Sequence, residues 1–137
     1  MQNHNRYEEI EEQDGTILRY AHHENGDGLV ESTAVVDPSA YVARSAWVDP
    51  GARVEAGARV GAGAWVDRDA VVHAGAVVRS SAHIGAGAVI GRGAKIGSRV
   101  KIGSRAHVWD GAHVAEDTIV PAGAVVRRDR RAVSAAA

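Results

Sequence analysis

Seven histidines are the side chains of this 137-residue chain best suited to moving a proton or holding a metal. His4, His22 and His23 lie near the start; His73, His83, His107 and His113 follow further on. A general base needs one neutral imidazole within reach of the proton it takes. A metal site needs three ligands that converge. The chain has no cysteine, so thiolate ligands, a cysteine nucleophile and a disulfide framework are excluded.

These side chains are positioned by a repeat. From Val30, every sixth residue through Val126 is Val or Ile, with no insertion. From position 34 on, Ala stands two residues before each, except at Val100 and Thr118. Six residues per unit do not fit a helix, because successive Val residues would spiral round it. Gly and Val in every unit also oppose a helix. A short strand and a bend per unit fit, with Val/Ile and Ala inward and Gly at the bend. Three such sides close a triangular coil of eighteen residues. Residues 30–126 then make a little over five coils, roughly 25 Å tall at the usual strand spacing.

The remaining composition bounds the function. Apolar residues reach 45%, but with no Phe, three Trp and one Met the core must be built from small side chains. No apolar run is long enough to span a membrane, and none follows Met1 as in a signal peptide, so a cytoplasmic protein without a membrane partner is expected. The net charge of -1 argues against a nucleic-acid partner. Residues 1–29 are acidic and lie outside the repeat. Asp14-Gly15 between two partly apolar runs predicts a hairpin there, which would cap the exposed sheet edge of the first coil. Residues 127–137 are basic and are expected to form a flexible tail, most of which lies outside the residues described below.

Ile84-Gly85-Ala86-Gly87-Ala88-Val89 and Ile90-Gly91-Arg92-Gly93-Ala94-Lys95 resemble the bacterial hexapeptide-repeat superfamily. The segment Ile119-Val120-Pro121-Ala122-Gly123-Ala124-Val125-Val126 looks like the last coil of its acetyltransferases. The resemblance implies an all-β fold, a left-handed parallel β-helix, assembled as a homotrimer. It implies acyl transfer from acetyl-CoA or another acyl-CoA to a small acceptor. The alternative is a non-enzymatic solenoid acting as a structural or interaction protein, a reading favoured by the absence of any loop between coils.

Residues eighteen apart stack on one face. Face one carries Leu29, Trp47, Trp65, His83, Lys101 and Ile119. Face two carries Val35, Arg53, Val71, Val89, His107 and Val125. Face three carries Tyr41, Arg59, Val77, Lys95 and His113. Faces one and two are too apolar for a lone rod, so rods are expected to meet there. Trp47 over Trp65 is read as an interface or cap contact. His83 is the first choice of catalytic base and His107 the second, because family enzymes use a histidine in the cleft between rods. Lys95, Lys101, Arg127 and Arg128 are the candidate CoA phosphate contacts. The resemblance also admits a γ-class carbonic anhydrase. Two coils beyond His73 and His83, however, stand Trp109 and Ile119, so no metal is expected. His107 with His113 is the remaining alternative pair.

Overall fold

The structure, a computed structural model, describes residues 7–128. Two longer strands come first, β1 (Tyr7–Glu11) and β2 (Ile17–His22). They are followed by β3 (Leu29–Glu31) and by sixteen two-residue strands, from β4 (Val35–Val36) to β19 (Val125–Val126). These begin six residues apart and sort into three parallel ladders, one for each face of a β-solenoid. No helix occurs among the described residues, so none is long and apolar enough to cross a membrane.

The six-residue unit explains the coil. Each outward strand residue donates its amide to the coil above, as Trp65 N does to Ala82 O and His83 N to Val100 O, both at 2.9 Å. The inward Val, Ile and Ala form one continuous core along the axis, with Ile84, Ile90, Ile96 and Ile102 fully buried at mid-height. Each face is followed by a bend, here called corner one, two or three after its face. From the second coil on, the third bend residue takes positive φ. At corner two it is always glycine from the second coil on: Gly57, Gly75, Gly93 and Gly111. The coils stack so closely that a Cβ on Gly97 would lie 2.5 Å from Glu116 N.

The first coil differs because nothing repeats beneath it. Val30 and Val36, expected inside, are only half-buried. In higher coils the amide of the third bend residue donates to a carbonyl of the coil below, as Gly75 N does to Ala56 O at 3.0 Å. Against the first coil the acceptors are instead hydroxyls. Gly51 N meets Thr33 Oγ1 at 3.0 Å, Gly57 N meets Ser39 Oγ at 3.0 Å and Gly63 N meets Ser45 Oγ at 2.8 Å.

β1 and β2 form an antiparallel hairpin whose turn holds Asp14 and Gly15, with Thr16 N on Asp14 Oδ1 at 2.9 Å. β2 continues the ladder of face one by pairing antiparallel with β3, Tyr20 opposite Glu31. It covers that sheet edge alone. The first strand of face three is met instead by the segment after the hairpin: His23 Nε2 donates to Ala40 O at 2.8 Å and Gly28 N to Val42 O at 2.9 Å. The tip of the hairpin reaches the third coil, where Arg68 pairs with Glu12. At the far end, Pro121 occupies a position whose amide, in lower coils, donates upward. No coil stands above it among the described residues, and a proline has no N–H to leave unpaired there.

Candidate active site on face one

The first residue of corner one is acidic in three coils, giving the column Glu31, Asp49 and Asp67 before Gly85 and Gly103. A side chain there rises to meet the outward strand residue sixteen positions later. Asp49 Oδ2 accepts Trp65 Nε1–H at 2.7 Å, and Asp67 Oδ2 lies 3.0 Å from His83 Nε2. The strand ladder sets Trp65 beside His83, and their rings stack at 4.0 Å with 14° between planes. Asp49 also accepts the Tyr20 hydroxyl from the hairpin at 2.8 Å. Burial and the Asp49 carboxylate together push the Tyr20 hydroxyl well above its usual pKa, so it acts here only as a donor. A continuous run of contacts therefore leads from the hairpin to His83.

The tautomer of His83 follows from its partner. An ionised carboxylate only accepts, so the Asp67 contact selects the tautomer with a proton on Nε2. In that tautomer the Nδ1 lone pair can act as a base. His83 opens onto a groove of about 360 Å³ lined also by Asp67, Lys101, Ser104, Ile119 and Pro121. Lys101 has no carboxylate partner among the described residues. Ile119 is 71% exposed, which gives the groove an apolar rim.

Of the residues singled out from the sequence, His83 and Lys101 come together in this groove and the others lie elsewhere. His107 lies exposed on face two between Val89 and Val125. Lys95 and His113 pair in register on face three, in a different groove. Arg127 lies over the Trp109 ring at 4.8 Å, and Arg128 packs beside Gly111. His107 and His113 stand on neighbouring faces, and no group of three metal-binding side chains forms among the described residues. The ring contact of Trp47 is an edge-on one with Tyr20, centroids 5.1 Å apart.

Two functional-looking partners were not read from the sequence. One is Asp67. The other is Glu55, whose Oε1 lies 2.9 Å from His73 Nδ1 one coil above, on corner two. The hydrogen bond from His73 holds the Glu55 carboxyl below its ordinary value. The usable signal in both cases is a carboxylate sixteen or eighteen residues before a histidine.

A parallel solenoid of six-residue units carrying a carboxylate-held histidine beside a lysine is the frame into which the comparisons fit. Residues 93–128 match the family Hexapep, bacterial transferase hexapeptide (six repeats). The chain belongs to the hexapeptide-repeat superfamily. No curated protein matches it. Two solved structures from Caulobacter crescentus, both in complex with CoA and GDP-perosamine, are similar to it. One is a histidine-to-asparagine variant of perosamine N-acetyltransferase, 31% identical, with a TM-score of 0.72 over 74% of this chain and 49% of that one. The other is a histidine-to-alanine variant of GDP-perosamine N-acetyl transferase, 32% identical, with a TM-score of 0.73 over 77% of this chain and 50% of that one. The chain spans about half the length of these two relatives. A hexapeptide transferase family protein from Anaplasma phagocytophilum shares the fold, at 23% identity and a TM-score of 0.51 over 74% of this chain and 67% of that one.

Proposed function

We propose that the protein transfers an acyl group from acyl-CoA to the amine of a small acceptor, with His83 as general base. The observation that carries this reading is the Asp67–His83 pair, opening beside Lys101 onto the face-one groove. Nδ1 of His83 removes a proton as the acceptor nitrogen attacks the thioester carbon. The tetrahedral intermediate then expels CoA thiolate, which recovers that proton from the imidazolium. Asp67 keeps the ring in the reactive tautomer and stabilises its charge while the proton is held. Trp65 and Ile119 offer apolar surface to the pantetheine arm, and Lys101 a charge to phosphate. Likeness to enzymes that bind CoA and a nucleotide-linked amino sugar supports both the donor and the acceptor class.

In this reading the rods form a trimer through faces one and two, which supplies the second wall of the groove. Calorimetry with acetyl-CoA tests the donor assignment. Saturable binding that weakens roughly tenfold in Lys101→Glu is expected. No heat with acetyl-CoA, or a monomer in sedimentation, contradicts it. A second reading, a non-catalytic scaffold, is favoured by the uninterrupted six-residue spacing of the strands from Leu29 to Val126. Absence of acetyl-CoA binding by an intact trimer selects it.

A further inference from the structure

The hairpin does more than an end cap requires. Covering the sheet edge of face one takes only the backbone pairing of β2 with β3. Two hairpin side chains nevertheless reach past the first coil to corner one. Tyr20, only 4% exposed, donates its hydroxyl to Asp49 Oδ1 in the second coil at 2.8 Å. Glu12, beside the hairpin turn, pairs with Arg68 in the third. Both contacts end on neighbours of His83. Asp49 accepts Trp65 Nε1–H on its other oxygen at 2.7 Å, and the Trp65 ring stacks on the His83 ring. Arg68 follows Asp67, and its backbone amide donates to Asp67 Oδ1 at 2.7 Å, which leaves Oδ2 for His83. The imidazole is held at its edge by Asp67 and on its face by Trp65. Trp65 is 41% exposed, so packing does not enclose its ring, and the bond to Asp49 selects one rotamer.

We propose that the hairpin is a working part of the face-one site, with Tyr20, Asp49 and Trp65 as positioning residues for His83. Trp65 holds the plane of the imidazole, Asp49 holds the indole, and Tyr20 holds Asp49. A carboxylate serves two donors on separate oxygens, whereas an amide has one acceptor oxygen and cannot serve both here. Tyr20 lines no part of the groove at His83, so it acts on transfer only through these contacts. That consequence for transfer rests on the reading of His83 as the base. Without the Tyr20 hydroxyl the indole is free to swing outward, and the imidazole turns with nothing against its face. Misplacing a reacting group by about 1 Å can cost roughly two orders of magnitude in rate.

Proton NMR of the full chain reads the placement without any assay. In wild type the Trp65 ring shields the His83 ring protons, and the Trp65 Nε1 proton exchanges slowly with water. Tyr20→Phe keeps the ring against Trp47 and removes only the hydroxyl. It is expected to move the His83 signals toward those of a free imidazole and to speed exchange at Trp65. Asp49→Asn, which leaves every hairpin side chain intact, should do the same. Glu9→Gln, which breaks the hairpin's own pair with Arg19 at 3.0 Å, should do neither. In transfer assays Tyr20→Phe should lower kcat roughly tenfold and leave the KM for acetyl-CoA unchanged. Unchanged His83 signals in Tyr20→Phe and Asp49→Asn overturn the proposal. So does an unchanged kcat in an active enzyme whose signals have moved. Moved signals in a protein that transfers nothing would remove His83 as the base and leave its placement by the hairpin standing.

Discussion

Corner one and corner three are made from the same six-residue unit, with the same bend and the same rise to the next coil. At corner one, positions sixteen apart hold Asp67 and His83, which bond each other at 3.0 Å. At corner three, the same positions hold Arg79 and Lys95, which cannot. The backbone is indifferent to this choice, since the inward Val, Ile and Ala pay for the stacking at both corners. A regular solenoid thus separates its two tasks. Inward residues fix where every outward side chain will stand, and outward residues are free to carry chemistry. One corner pairs its polar side chains and presents a histidine, whereas the other presents two exposed cations.

The most severe way to break this comparison is to remove the stacking both corners share. Ile90→Asp puts a carboxylate into a fully buried site among apolar neighbours. We expect a loss of more than about 4 kcal/mol, read as loss of the β signal in circular dichroism. Persistence of a folded solenoid would mean that the axial core does not hold the corners in register.

A smaller change sharpens the acidic side. Glu31 begins the corner-one column but is buried, and it accepts Thr33 N at 2.7 Å and Ser32 Oγ at 3.0 Å. Burial opposes its ionisation, but these hydrogen bonds outweigh burial and hold its carboxyl below the ordinary value of 4.5. A depressed carboxyl stabilises the fold above its unfolded pKa and loses that contribution as pH falls through the folded one. Glu31→Gln should therefore cost about 1 kcal/mol at neutral pH. The gap to wild type should narrow in denaturant titrations below pH 4.5. A gap that does not change with pH would show that Glu31 acts by shape alone.

How much of this could be read beforehand follows from the period. The unbroken step from Val30 to Val126 gives the coils and the face columns, and Asp14-Gly15 gives the turn of the hairpin. The columns also place His83 and Lys101 as neighbours, and the structure sets both in one groove. Asp67 belongs to a bend, and the face columns align strand residues only. A bend side chain leans toward the strand of the next coil, so its partner lies at eighteen less two. That offset needs the bend geometry, which the period does not carry. Lys95 and Lys101 are both cations suited to phosphate, and the face columns separate them onto faces three and one, as the ladders do. Nothing in the period singles out Thr33, Ser39 and Ser45 among the bend residues. Their role appears only once the first coil is seen to offer hydroxyls where later coils offer carbonyls.

The central claim is that the histidine held by Asp67 does the chemistry. The most direct measurement is the release of free CoA thiol from acetyl-CoA in the presence of nucleotide-linked amino sugars, comparing wild type with His83→Ala. Wild type is expected to release thiol in step with acylated acceptor. His83→Ala should do so roughly two to four orders of magnitude more slowly, with acetyl-CoA affinity and oligomeric state retained. A variant that transfers at the wild-type rate would contradict the claim.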